Sequence, residues 1–348
     1  MKKLASLLLA LCLLLSLATY ASAEASADLP VLRVAVMPFY ISSPTYYIVQ
    51  NGLDVANGFK IDLQFYPMGA PQIEAMAANE WDVGMMGSAG VFGVANAGMM
   101  IVSEVVLSSG GTGAYVRPDS PIAQVTDGIP AMPGVYGNAE TMKGATVLVP
   151  VGSLNHLNVV KWYYAAGLSV DDFTVVDMSN ANSFQAFKAG EGDITAFSPP
   201  LTYQAEEEGW VKASGLDSLN CDAWDCLYAN PRTYEDTKEL IAKFVDVLLD
   251  VQTEFSTNQE LASEWGYKWL HDENGMTNTT LQNLMDEWAV RPFRTREEVE
   301  NLTVLGESLK ELAAFYGSIG NLDPARVSIF ENPRVVTMEV LDMVFGRN

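Results

Sequence analysis

The sequence GATVLVPVGSLNH, residues 144–156, predicts a buried β-strand that runs directly into the start of a helix. Residues 146–149 form a short apolar, β-branched run that is typical of a buried strand. Gly152 and Ser153 then supply flexible backbone and a capping hydroxyl for a helix predicted over residues 154–166. A helix start leaves unpaired N–H groups, which in open α/β folds lie at the carboxyl edge of the sheet, where ligands bind. The stretch therefore predicts a binding loop.

A second copy of this arrangement occurs in the first half of the chain. Residues 82–86 form a short apolar strand that leads into Gly87, Ser88 and a helix of small and apolar residues. One copy alone is also the pattern of an ordinary strand-loop-helix joint with a capping serine. Two copies, one in each half, predict two lobes whose binding loops face each other.

Strands and helices alternate through both halves, a pattern typical of parallel sheets covered by helices. We place one lobe in residues 28–117 and 228–348 and the other in residues 118–227. The chain is therefore predicted to cross from the first lobe to the second after residue 117. Residues 118–143 contain several Pro and Gly without periodicity, which predicts a long surface connection. Residues 209–226 are predicted to be rich in loop, and residues 297–315 a single amphipathic helix.

The first residues have the features of a signal peptide and are set aside from the fold. Lys2 and Lys3 precede an apolar run over residues 4–17, and the small residues around Ala23 form a cleavage site, so residues 1–23 are the predicted signal peptide. Cys12 follows Leu11 rather than a small residue, which argues against lipid attachment. We expect export, to the periplasm or to the cell surface according to whether the host has an outer membrane.

Charge and cysteine content limit the possible partners and cofactors. The formal net charge is −23, and loss of Lys2 and Lys3 makes it more negative, which argues against nucleic acid and anionic membranes as partners. Removal of the signal peptide, with Cys12, leaves Cys221 and Cys226. The segment between them is short and acidic, which does not indicate a zinc site without further ligands. We predict a local disulfide between them.

With these features in place, the chain resembles the solute-binding proteins of ATP-driven importers for nitrate, sulfonates, taurine and thiamine precursors. The resemblance covers most of the mature chain and is densest where the sequence has LRVAV, EWDVG and FKAGEGD and in the opening stretch described above. Phe197 departs from it, since many members have Trp there. The resemblance implies a two-lobed periplasmic binding fold of type II, with two hinge strands and the ligand between the lobes. It also implies a membrane permease as partner and no cofactor, and we expect a monomer.

Candidate ligand-binding residues follow the predicted strand ends. The hydroxyls of Ser88 and Ser153, with the N–H groups of two facing helix starts, offer an anion site that needs no Arg. The full set of predicted site residues is Phe39, Tyr40, Gly87, Ser88, Gly152, Ser153, Asn155, His156, Phe197 and Ser198. Packing in the hinge or in the core is the alternative for each aromatic, and a solvated helix position is the alternative for His156. Acidic groups such as Asp177, Asp222 and Asp225 suit an amine equally well, so the ligand stays open.

Three functions remain at this stage. The leading hypothesis is a transport receptor that captures a small organic solute and hands it to a permease. An exported enzyme on the same fold is the second, although only His156 and His271 offer near-neutral bases and no Gly-x-Ser-x-Gly motif occurs. A module that senses the same solute for a membrane receptor is the third.

Overall fold

The computed structural model describes residues 29–199 and 201–347. The predicted signal peptide, residues 1–23, lies outside them. Among the described residues, no helix is long and apolar enough to cross a membrane.

Ten strands form two sheets of five strands each in the described part of the chain. The strands are β1 (Val31–Val36), β2 (Lys60–Phe65), β3 (Val83–Met86), β4 (Met100–Leu107), β5 (Gly113–Val116), β6 (Thr146–Val149), β7 (Thr174–Asp177), β8 (Ile194–Phe197), β9 (Val211–Gly215) and β10 (Trp224–Ala229).

Helices cover the sheets and form most of the C-terminal third. The α-helices are α1 (Ser43–Gln50), α2 (Leu53–Ala56), α3 (Gly69–Ala77), α4 (Gly90–Ala97), α5 (Ala139–Met142), α6 (Leu154–Ala165), α7 (Asn180–Lys188), α8 (Leu201–Glu207), α9 (Tyr234–Thr257), α10 (Gln259–Tyr267), α11 (Leu281–Val290), α12 (Arg296–Glu300), α13 (Glu307–Ser318) and α14 (Glu339–Phe345). Short 3₁₀ turns occupy Tyr40–Ser42, Pro121–Gln124, Val170–Asp172 and Pro324–Glu331, and α10 continues as a π-helix, Lys268–Glu273.

The first sheet has the order β2-β1-β3-β10-β4. Strand β1 pairs in parallel with β2 and β3, whereas β10 runs antiparallel between β3 and β4. The long helix α9 buries an apolar face made of Ile241, Phe244, Val245 and Leu248 in the core of this lobe. The C-terminal third of the chain therefore belongs to the first lobe.

The second sheet has the order β7-β6-β8-β5-β9. Strands β6, β7 and β8 are parallel, and β5 runs antiparallel to β8 and β9. The two sheets with their helices confirm the predicted α/β fold of two lobes. Strand β5, which the sequence analysis assigned to the first lobe, is paired in the second sheet, so the first crossing lies before Gly113.

Two chain segments connect the lobes side by side, one between β4 and β5 and the other between β9 and β10. The N–H of Ser108 donates to the carbonyl of Ala223 (2.7 Å), and the N–H of Ala223 donates to the hydroxyl of Ser109 (3.0 Å). These hydrogen bonds fix the two crossings to each other at the base of the space between the lobes.

Residues 118–143 are not a simple surface loop. Ile122, Ile129 and Val135 are buried in the core of the second lobe, and the N–H of Tyr136 donates to the carbonyl of Ala213 in β9 (2.8 Å). This segment therefore covers the edge of the sheet at β9, a strand that the sequence analysis had predicted as loop.

The helix predicted over residues 297–315 is divided into α12 and α13. Gly306 is the N-cap residue of α13 and has a φ of +69°, a conformation that a helix interior does not contain. Its N–H donates to the buried carboxylate of Glu104 (3.1 Å). The break thus pairs a buried acid of β4 with the turn between the two helices.

The predicted disulfide is absent, because Cys221 and Cys226 are both free, buried thiols. Cys226 lies within β10 and is fully buried in its sheet, with its thiol directed to the carbonyl of Trp224. Cys221 precedes the strand and lines a small cavity beside Leu157 and Lys161 of α6. Both side chains belong to the same core cluster, but no bond joins their sulfur atoms.

Free thiols are directly measurable. We expect residues 24–348, purified without reductant and unfolded in guanidinium chloride, to react with a thiol reagent at both cysteines. The native protein should react slowly, because burial raises the pKa of both thiols and excludes the reagent. Absence of reactive thiol in the unfolded, unreduced protein would instead establish the disulfide.

Candidate functional site

A cavity of about 430 Å³ lies between the two lobes. The first lobe contributes the residues that follow β1 and β3, together with the start of α3 and two charged groups from β10 and the end of α11. The second lobe contributes the start of α6 and of α7 and the residues after β8. The lining consists of Met37, Phe39, Ile41, Met68, Gly69, Met86, Gly87, Ser88, Ala89, Ser108, Leu154, Asn180, Ser198, Pro199, Leu201, Asp225 and Arg291.

Most of this lining is apolar. Met37 and Met86 end or follow strands of the first sheet and are buried, whereas Phe39 and Met68 are about half exposed at the rim. Exposed aromatic and methionine side chains at a cavity rim are available to pack an organic group. The cavity is therefore suited to a ligand with an apolar body.

The loop between β3 and α4 forms a polar part of the wall. The N–H of Gly90 donates to the carbonyl of Gly87 (2.8 Å) and closes the first turn, so the N–H groups of Ser88 and Ala89 precede the bonded part of the helix. Within the described residues these two N–H groups have no backbone acceptor. They are available to a hydrogen-bond acceptor in the cavity.

At the base of the cavity, Asp225 and Arg291 are the charged lining residues. Arg291 Nη1 lies 2.5 Å from Oε1 of Glu287, one turn earlier in α11, and Arg291 Nη2 lies 3.4 Å from Oδ2 of Asp225. The side chains of Asp225, Glu287 and Arg291 are 9, 10 and 13% exposed. Burial raises the pKa of both carboxyl groups, and the guanidinium opposes that rise.

A chain of hydrogen bonds orders the wall contributed by the second lobe. The hydroxyl of Ser198 lies 3.1 Å from that of Thr112 and donates to Asn155 Oδ1 (3.0 Å), and Asn155 Nδ2 donates to Asn180 Oδ1 (2.9 Å). Asn155 is itself buried. It therefore connects two cavity-lining groups from behind the wall.

The structure brings together only part of the predicted site. Phe39, Gly87, Ser88 and Ser198 line the cavity. Phe197 does not, because it is fully buried in a cluster with Tyr115 and Phe184.

Tyr40 also lies away from the lining and is 1% exposed. Its ring centroid is 4.9 Å from that of Phe293, and its hydroxyl is buried without a hydrogen-bond partner in the described part of the chain. Phe39, its neighbour, has the exposed position at the rim.

Gly152, Ser153 and His156 lie outside the cavity, where the start of α6 meets the end of α13 and the residues after it. Ser153 caps α6, accepting from the N–H of His156 (3.3 Å), as predicted for this serine. The His156 ring accepts from the N–H of Gly152 at Nδ1 (3.3 Å) and makes an edge contact with Phe315, with centroids 5.7 Å apart. Burial lowers the pKa of His156, which favours the neutral ring that this hydrogen bond to Nδ1 requires.

Sequence reasoning missed several lining residues. Met37 and Met86 stand at strand ends and were identifiable by the same rule that gave Ser88. The sequence around Arg291 gives no comparable signal, because no local pattern indicates that the end of α11 packs against the start of β10. Within the described residues, no cluster of three or more His, Cys, Asp or Glu side chains is arranged to hold a metal ion.

Two sheets, two adjacent crossings and a cavity lined from both sides define a two-lobed protein with the periplasmic binding protein fold. The chain belongs to the NMT1/THI5-like family, whose sequence profile matches residues 36–253. A protein of Brachyspira hyodysenteriae named as an ABC transporter periplasmic binding protein is 34% identical over 318 residues, which cover 91% of each chain.

Solved structures share the fold at low sequence identity. The periplasmic aliphatic sulphonate binding protein SsuA of Escherichia coli superposes with a TM-score of 0.65 at 17% identity, over 89% of this chain and 91% of that one. The periplasmic nitrate-binding protein NrtA of Synechocystis gives a TM-score of 0.67 at 10% identity, over 92% and 89%. At these identities the likeness concerns the fold alone.

Proposed function

We propose that this protein is the exported solute-binding component of an ABC importer, which captures a small organic solute between its lobes and delivers it to a membrane permease. The observation that carries the proposal is the cavity lined from both lobes, with the two adjacent crossings at its base. The named Brachyspira relative supports the transporter assignment and a periplasmic location. We expect the protein to act as an acidic, exported monomer.

The candidate solutes come from the sulfonate, taurine and nitrate class that the sequence resemblance implies. The N–H groups of Ser88 and Ala89 support an acceptor oxygen at one end, and the apolar lining supports an organic body at the other. Phe39, Gly87, Ser88 and Ser198 are the sequence-predicted residues that we propose contact the solute. His156 and His271 are both outside the lining, so the proposal assigns no acid-base role to either.

A thermal-shift screen of residues 24–348 tests this function. The panel contains sulfonates, taurine, nitrate, aromatic carboxylates, thiamine precursors and polyamines. A ligand that binds only the native state at a hundred times its Kd stabilises it by about 2.7 kcal/mol, which raises the midpoint clearly. A shift with one chemical class supports the proposal, and no shift with any member counts against it.

Phe39 provides a sharper test of where the solute binds. We expect Phe39→Ala to weaken binding of a solute from the screen by about tenfold, because the ring loses apolar contact with the solute. The side chain is 48% exposed, so the midpoint without ligand should change little. Calorimetric titration measures the loss of affinity.

Phe65→Ala is the matched control for Phe39. Phe65 is 52% exposed on the same lobe but lines a different cavity, beside Trp269. An equal loss of affinity in both variants would contradict the assignment of the solute to the space between the lobes.

A further inference from the structure

The charges at the base of the cavity do not balance. Two carboxylates, Asp225 and Glu287, share the guanidinium of Arg291. Asp225 lies in the lining itself, with its side chain 91% buried, whereas Glu287 is not in the lining. Counted together, these three groups include one more acid than base, and Asp225 is the acid that reaches the lining, where Arg291 is the one base among the described residues.

Arg291 is bound mainly on the side away from Asp225. Its Nη1 makes the 2.5 Å contact with Glu287, and its Nε donates to the carbonyl of Leu107 (3.2 Å). The 3.4 Å separation from Asp225 exceeds the 2.7–2.9 Å that is typical of a charge-assisted hydrogen bond. Asp225 thus has acceptor capacity that Arg291 does not use.

Asp225 also lies beside the helix start that would otherwise attract an anion. A Cβ atom on Gly87 would be 2.6 Å from Asp225 Oδ1, so the carboxylate lies directly against this backbone, next to Ser88 and Ala89. The free N–H groups favour an acceptor oxygen here, but a ligand that is only anionic also meets the charge of Asp225 at close range. A cationic group bound to the carboxylate of Asp225 gains from that charge.

We infer that the solute carries a protonated primary amine that binds to the carboxylate of Asp225, while its apolar part packs against Met37, Phe39 and Met86. The inference rests on the proposed function and narrows its solute class. Of the candidates from the resemblance, taurine and similar zwitterions have the required group, whereas nitrate and simple sulfonates do not. Asp225, the proposed acceptor of the amine, was one of three acids that the sequence alone left open as possible partners of an amine.

Matched pairs of probes test this inference in the unaltered protein. Taurine and 2-hydroxyethanesulfonate share one skeleton, as do 2-phenylethylamine and 2-phenylethanol, and in each pair a hydroxyl replaces the amine. Calorimetric titration of residues 24–348 should show at least one amine binding about tenfold or more tightly than its hydroxyl partner, because an ion pair strengthens the hydrogen bond. Equal or tighter binding of the hydroxyl members overturns the inference.

Two variants test whether Asp225 is the residue that causes the preference for the amine. Asp225→Asn keeps the shape of the side chain and should abolish the preference for the amine. Asp222→Asn removes one charge nearby, at an exposed residue that lines a separate cavity beside Trp224, and should keep the preference. An unchanged preference in Asp225→Asn would also overturn the inference.

The remaining outcomes separate this inference from the proposed function. Binding of nitrate or 2-hydroxyethanesulfonate without binding of any amine rejects the inference and leaves the transport function in place. Failure of both probe pairs and of the whole thermal-shift panel rejects both.

Discussion

Arg291→Met should lower the free energy of unfolding by about 3–5 kcal/mol at pH 7, because it leaves two buried carboxylates without a countercharge. Asp225 and Glu287 are both more than nine-tenths buried and face the same guanidinium. Urea denaturation followed by circular dichroism measures the loss. Arg296→Met is the matched control, since Arg296 pairs with the exposed acids Asp246 and Asp250, and its loss should cost no more than about 1 kcal/mol.

The loss in Arg291→Met should shrink as the pH falls. Burial raises the pKa of Asp225 and Glu287 in the folded state, and removal of the guanidinium raises it further. An acid whose pKa is higher in the folded than in the unfolded state binds protons preferentially in the folded state, so acidification stabilises that state. Adding Glu287→Gln to the variant should recover part of the stability at pH 7. A loss that is independent of pH, with no recovery in the double variant, would contradict the account.

The second large effect is expected at Arg33, which lies in β1 of the first sheet. Its Nη2 and Nε bind the two oxygens of Asp82 at 2.6 and 3.0 Å, and its backbone N–H donates to Asp82 Oδ2 (3.0 Å). Arg33→Met should lower the free energy of unfolding by about 2–3 kcal/mol, because the buried carboxylate of Asp82 keeps only the backbone N–H of this set. Adding Asp82→Asn should recover part of it.

The pair between Arg33 and Asp82 has its own pH dependence. Burial acts to raise the pKa of Asp82, but the hydrogen bonds from Arg33 outweigh it, so the net pKa lies below the ordinary value. A carboxyl whose pKa is lowered on folding contributes stability above its unfolded pKa of about 4 and loses it as the pH falls through the folded value. Wild type and Arg33→Met should therefore begin to converge in stability below about pH 4 and meet once the pH is below the folded pKa of Asp82. Parallel pH profiles would show that the pair has no such role.

The fold was largely predictable from local patterns. Strand β6, Ser153 and α6 occur where the sequence places them, because a β-branched run, a capping hydroxyl and helical periodicity agree there. Strand β9 was missed, since its sequence VKASG is short and has no β-branched or aromatic residue after Val211. Its pairing with β5 and the covering segment of residues 118–143 are long-range contacts, which a local pattern does not reveal.

The candidate site was predictable at its loops and not at its base. Successive side chains of a strand point to opposite faces, so Phe197, the last residue of β8, is buried in the core while Ser198 lines the cavity. The position of a strand end in the sequence predicts which loop lies at the cavity. It does not predict which of two adjacent residues in that loop faces the cavity. Arg291 lies 66 residues from Asp225 in the chain, and only the packed structure brings the two together.

Hydrogen–deuterium exchange of residues 24–348, with and without a saturating solute from the thermal-shift screen, tests the central claim most directly. Binding between the lobes predicts slower exchange on both walls at once, in residues 86–90 of the first lobe and in Ser198 and residues 201–203 of the second. Protection confined to one lobe, or to the separate cavity beside Trp224 and Glu307, would contradict the account.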